Sequence, residues 1–82
     1  MSEVTKEKVI EIMEGVNADI DYANEKALID DELLNSFDVV AIISDLSDEF
    51  DIDIEVDEMV PENFNSVEAV CKMVTRLIEE QA

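Results

Sequence analysis

The sequence predicts a small all-α four-helix bundle: three longer helices, one short helical turn, and a long loop after the first helix. Three observations predict it. Apolar residues recur at helical spacing in three separate stretches. One Gly and one Pro leave few positions that interrupt a helix. With one Cys and no His, neither an internal disulfide nor a His/Cys zinc staple is available, so 82 residues must hold together by helix packing. That length gives a single domain over 1–82.

The first helix is expected from Ser2 to Val16. Val9, Ile12, Met13 and Val16 fall at i, i+3, i+4 and i+7, Ser2 or Thr5 can cap the start, and Gly15 and Asn17 mark the end. From Asn17 to Asn35 no period persists. Ile20, Tyr22, Leu28, Ile29, Leu33 and Leu34 are scattered among Asp and Asn, which reads as a loop with anchored side chains. A short helix across Glu25–Ile29 is the alternative. Loops this long are uncommon in compact domains and are often functional.

The second helix is expected from Ser36 to Asp51, with Val39, Ile42, Ile43, Leu46 and Phe50 as its buried stripe. At about 100° per residue, Phe37 projects nearly opposite that stripe, with Ala41 and Ser44 beside it and Val40 on the flank. Asp38, Asp45 and Asp48 surround this second face. The next stretch, "DIDIEVDEM", alternates acid and aliphatic, yet no partner strand is evident. It reads as a connection pinned by Ile54, with Val56 a second candidate. Pro61–Phe64 reads as a helical turn with Pro at its start. Asn65 or Ser66 then caps a last helix whose stripe is Val67, Val70, Cys71, Val74, Leu77 and Ile78.

Charge narrows the function. There are 23 acids against 5 bases, a formal net charge of −18, and no base lies between Ala27 and Cys71. Nucleic acid is excluded as a partner, because phosphate contacts need Lys and Arg. Anionic membranes are disfavoured for the same reason. The field steers the chain toward basic protein surfaces, and like charges this dense favour a monomer. No apolar run approaches the roughly 18 residues that span a bilayer. The start carries Glu3 and no apolar signal region, so a cytoplasmic setting is expected, in keeping with the lone Cys.

Catalysis and metal binding find little material. Without His, and with Cys71 on a core stripe, a nucleophile-and-base pair cannot be assembled, and the chain does not read as an enzyme. Asp51, Asp53, Glu55, Asp57 and Glu62 do match positions of a calcium loop. The sixth position, however, is Val56 where Gly is needed for the turn, and the eighth is Glu58. No metal site is expected.

Ser36 remains. It either caps the second helix or occupies its first position with the hydroxyl free. Asn35 can itself cap, and Asp38 lies three residues after it, an arrangement like a capping box. A phosphate ester on a free Ser36 hydroxyl would meet the positive end of the helix dipole.

The stretch "LIDDELLNSFDVVAIISDLSDEFDIDIEVDEMVPENFNSVEAV" resembles the core of acyl carrier proteins. The combination Leu34-Asn35-Ser36-Phe37-Asp38, then Leu46, Glu49-Phe50, Ile54 and Asn65-Ser66-Val67 carries the resemblance, whereas the first triplet alone is weak. The resemblance implies a non-enzymatic carrier with the acyl-carrier-type helix bundle. It implies a 4′-phosphopantetheine arm, taken from coenzyme A by a phosphopantetheinyl transferase, attached to Ser36 with Asn35 as the cap beside it. The arm holds an acyl or aminoacyl thioester for a fatty-acid, polyketide or other dedicated pathway. It further implies a partner surface of Phe37, Asp38, Val40, Ala41, Ser44, Asp45 and Asp48, meeting basic patches on the enzymes that load and use the arm.

Two departures stand out: Asn35 where Asp is usual, and Glu32 where many members have Gly. The approach "ELLNSF" is more similar to stand-alone carriers of D-alanyl, aminoacyl and polyketide type than to those of primary fatty-acid synthesis. An acidic interaction module without an arm, and a calcium-binding protein, are the readings from other classes.

Overall fold

The three longer helices start at small polar side chains. Thr5 Oγ1 accepts from the Lys8 N–H at 3.1 Å, Asn35 Oδ1 from the Asp38 N–H at 2.8 Å, and Ser66 Oγ from the Ala69 N–H at 3.1 Å. The computed structural model describes residues 4–81. Among them lie helices α1 (Lys6–Val16), α2 (Ser36–Phe50), α3 (Pro61–Phe64) and α4 (Val67–Gln81), a single 3-10 turn at Val56–Glu58, and no strand. This is the all-helical architecture expected, three longer helices and one short one.

The amphipathic stripes meet in one core. Val9 and Met13 of α1 pack with Val39, Ile42, Leu46 and Phe50 of α2, Phe64 of α3, and Val67, Val70, Met73, Val74 and Leu77 of α4. Burying each such side chain contributes roughly 1.5–3 kcal/mol. No polar or charged side chain is buried among the described residues.

Several expectations need correction. α1 begins at Lys6 after its Thr5 cap, while Ser2 lies outside the described residues. α2 ends at Phe50, because Asp51 turns left-handed (φ 53) and closes the helix. Val56 anchors nothing: it is 79% exposed, whereas Ile54 is half-buried. Ile43 and Ile78 are half-buried at the edges of their stripes, and Cys71 is half-buried while Met73 takes a core position. The long, flexible Met73 side chain reaches into the interior where the shorter Cys71 stays at the edge.

The long loop contains turns and no helix, so the anchored-loop reading holds and the short-helix alternative does not. Tyr22, Leu28 and Leu34 are buried, Ile20 and Ile29 half-buried, and Leu33 is 37% exposed. Its polar ties are specific. The Tyr22 hydroxyl donates to the Asn17 carbonyl at 2.6 Å and to Met13 at 3.1 Å, closing the end of α1. Asn65 does not cap α4 but staples the loop. Its carbonyl accepts from the Leu28 N–H at 2.8 Å, and its Oδ1 from the Ile29 and Asp30 N–H groups at 2.9 and 3.1 Å. Ion pairs add an outer belt. Glu68 sits between Lys26 at 2.7 Å and Lys6 at 3.3 Å, and the Lys26 hydrogen bond, followed by that of Lys6, lowers its carboxyl to about 2.

Two predictions follow from strain and burial. Glu32 holds a left-handed backbone (φ 58) that favours glycine, so Glu32→Gly raises unfolding stability by about 0.5–1 kcal/mol in urea titration. Tyr22 is pushed up from 10.0 to about 12 by burial first, then by Asp38 and Glu14. The folded chain therefore holds this proton more tightly than the unfolded one. Its contribution is complete below pH 10 and is lost as pH rises through about 12. Tyr22→Phe costs about 1 kcal/mol at neutral pH, by leaving the Asn17 carbonyl without its donor, and removes this part of the alkaline loss.

Candidate functional site

The first turn of α2 is capped by Asn35 and Asp38 alone. Asn35 is extended (φ −97, ψ 178), its side chain accepts from the Asp38 N–H, and Asp38 Oδ2 accepts from the Asn35 N–H at 3.4 Å. The box foreseen from Asn35 and Asp38 is complete. The first helical bond runs from the Val39 N–H to the Asn35 carbonyl at 3.0 Å. Ser36 is therefore the first residue of α2, exposed, with its hydroxyl outside the capping arrangement. The N–H groups of Ser36 and Phe37 have no intrahelical acceptor and form the positive end of the dipole.

Beside Ser36 opens a cleft of about 380 Å³. Ile29, Leu34, Val39, Met59, Val60 and Phe64 form its apolar lining, with Pro61, Glu32 and Asn35 completing it. Three chain segments thus converge on the serine: the end of the long loop, the first turn of α2, and the stretch from Met59 into α3. The sequence marks Ile29 and Leu34 only as scattered apolar anchors of an aperiodic loop, and nothing in the spacing links them to Met59 or Val60. The link is Asn65, whose side chain binds the loop from the α3–α4 junction. An Asn beside a helix start signals a cap more readily than a staple, which is why spacing alone misses it.

The outward face of α2 is as foreseen at most positions. Phe37 is 86% exposed and Val40 55% exposed, and Ser44, Asp45 and Asp48 are also exposed. Ala41 and Asp38 are half-buried. Asp38 serves the helix cap and influences Tyr22, so it belongs to the framework as much as to the surface. Asp45 and Asp48 border a shallow groove against α1, together with Lys8, Glu11 and Glu49. The outward surface of α2 thus combines exposed apolar Phe37 and Val40 with the carboxylates of Asp45 and Asp48.

Among the described residues, no group of three or more His, Cys, Asp or Glu side chains is placed to hold a metal ion. The calcium-loop spacing noted above is spent on other geometry. Asp51 closes α2, Val56–Glu58 forms the 3-10 turn, and the Asp53 backbone is bound on both sides by the Gln81 amide. The Cys71 thiol is pushed up by burial, which disfavours the reactive thiolate. No described helix is long and apolar enough to cross a membrane.

The capping geometry predicts a sharp contrast between neighbours. Asn35→Ala costs about 1 kcal/mol in urea unfolding, whereas Ser36→Ala and Asn35→Asp stay within about 0.5 kcal/mol of the parent. Comparison with protein-family models, curated proteins and solved structures found no match.

Proposed function

We propose that the chain is an acyl carrier protein, holding an acyl or aminoacyl group on a 4′-phosphopantetheine arm esterified to Ser36 Oγ. The carrying observation is that α2 is capped by its neighbours, which leaves the Ser36 hydroxyl free at the first helical position. The residues present fit the arm. A phosphate on Ser36 Oγ lies at the helix N-terminus, where the free N–H groups of Ser36 and Phe37 favour negative charge. The apolar lining of the adjacent cleft suits the hydrocarbon portions of an arm or its cargo.

Attachment forms a bond from Ser36 Oγ to the pantetheine-side phosphorus of coenzyme A. The pyrophosphate bond breaks, adenosine 3′,5′-bisphosphate leaves, and the hydroxyl proton passes to a base. Asp38, the acid of the same turn, accepts from the Asn35 N–H through Oδ2, and the reading assigns that base to the transferase. When bound, the arm supplies a terminal thiol that carries the acyl group as a thioester. The chain contributes presentation: the bundle fixes the attachment point, and partner enzymes perform the chemistry.

Recognition falls to α2. Phe37 and Val40 offer apolar contact, and the surrounding carboxylates, including Asp45 and Asp48, complement a basic patch. Asn35 retains the cap that Asp would make, so its effect on arm transfer is confined to the missing charge. The reading places the protein in the cytoplasm as a monomer serving a transferase and acyl-loading and acyl-using enzymes.

A second reading, an acidic interaction module without an arm, draws on the same exposed Phe37 and needs no modification of Ser36. Intact mass separates the two. After incubation with coenzyme A, magnesium and a broad-specificity phosphopantetheinyl transferase, the parent gains one phosphopantetheine and Ser36→Ala gains none. Asn35→Asp accelerates the gain if the transferase reads that charge. A folded parent and a folded Asn35→Asp variant that both keep their mass favour the module.

A further inference from the structure

We propose that Arg76 of α4 is a positioning residue for the Ser36 cleft, acting through Glu58. What the cleft shelters rests on the carrier reading, but the strut itself does not. Met59 and Val60 form one wall of the cleft and directly follow the 3-10 turn Val56–Glu58. This stretch has thin apolar anchoring. Val56 is 79% exposed and Val60 38% exposed, and Ile54 and Met59 are only half-buried.

Polar contacts hold it instead, and they converge on Glu58. The Arg76 guanidinium pairs with the Glu58 carboxylate and, at 3.4 Å, with Glu80. Asn63 Nδ2 donates to the same Glu58 carboxylate at 3.1 Å and to the Glu58 carbonyl at 2.9 Å. The Val60 N–H donates to that carbonyl too, at 2.9 Å. Glu58 thus links α4 through its side chain to the cleft wall through its backbone.

Arginine suits this place because its planar fork addresses two carboxylates at once, which an ammonium does less well. The pair is partly exposed, so it adds little to global stability. Its effect is local. Losing the guanidinium leaves the Glu58 carboxylate with Asn63 alone, and the Met59–Val60 wall opens more often without the bundle unfolding. An apolar acyl group lying in the cleft then meets water more often. Hydrolysis of its thioester adds water across the carbonyl–sulfur bond and gives the carboxylic acid and the free thiol.

Two measurements on Arg76→Gln, Arg76→Lys and Glu58→Gln test this. The first is amide hydrogen exchange on the unmodified protein. The Met59, Val60 and Asn63 amides, all hydrogen-bonded in the fold, are expected to exchange about fivefold faster in Arg76→Gln and Glu58→Gln. Arg76→Lys falls between parent and Arg76→Gln, the double variant is no faster than Glu58→Gln, and Ile42 and Leu46 in α2 are unchanged. The second compares chains loaded with octanoyl- or acetyl-phosphopantetheine from the corresponding coenzyme A esters. Octanoyl hydrolysis accelerates in Arg76→Gln and acetyl hydrolysis does not.

Unchanged exchange at Met59 and Val60 overturns the proposal, as does equal acceleration at Ile42 and Leu46, which marks a merely global loss of stability. Equal hydrolysis of both thioesters in parent and variant overturns the sheltering role. If Ser36 accepts no arm, the carrier reading falls, and the exchange result alone decides whether Arg76 positions the wall.

Discussion

The pair of hydrogen bonds between Asn35 and Asp38 sets the register on which the rest depends. A helix must satisfy its first N–H groups, and serine at a helix start ordinarily does so with its own hydroxyl. Here the preceding residue takes that task, and helical geometry begins at Ser36. With the register fixed there, Val39, Ile42, Leu46 and Phe50 turn inward while Phe37 stands in solvent. Were Ser36 itself the cap, its hydroxyl oxygen would accept from a backbone N–H of the same turn. The same small local choice thus leaves the Ser36 hydroxyl outside the cap and orients the face around it.

A second constraint gathers the walls of the site. The long loop has no helical framework, so its position relative to α3 depends on a few directed bonds. Asn65 supplies four of them from one short side chain and its carbonyl, at 2.8 to 3.1 Å. Charge is arranged with similar economy. Lys6 and Lys26 meet on Glu68, Arg76 reaches Glu58 and Glu80, and Lys8 pairs with Glu49. These bases bind acids mainly on α4 and its neighbours, so Asp45 and Asp48 on the outward face of α2 lie in a surplus of negative charge.

The helical elements were legible because their signals are local. Periodic stripes, one Pro at a helix start and small polar caps act within a few residues, and α2 appeared within one residue of its expected span. The box at Asn35 and the exposure of Phe37 were legible for the same reason. The cleft was not, because it joins Ile29 and Leu34 to Met59, Val60 and Phe64 across about thirty residues of chain. Asn65 and Val56 show the limit from both sides. One looked like a cap and staples a loop, and the other looked like an anchor and faces water. The left-handed backbone at Glu32 had a clue only in the family resemblance, where many members carry Gly.

The most direct test of the central claim is a double-mutant cycle over the first turn of α2. Asn35→Ala, Asp38→Ala and Ser36→Ala are combined pairwise and followed by urea unfolding. Reciprocal capping predicts a coupling between Asn35 and Asp38 of roughly 0.5–1 kcal/mol, and none between either residue and Ser36. Additive losses at Asn35 and Asp38, together with a loss at Ser36 as large as that at Asn35, would contradict it. Ser36 would then be the helix cap, and the hydroxyl on which the carrier reading depends would already be in use.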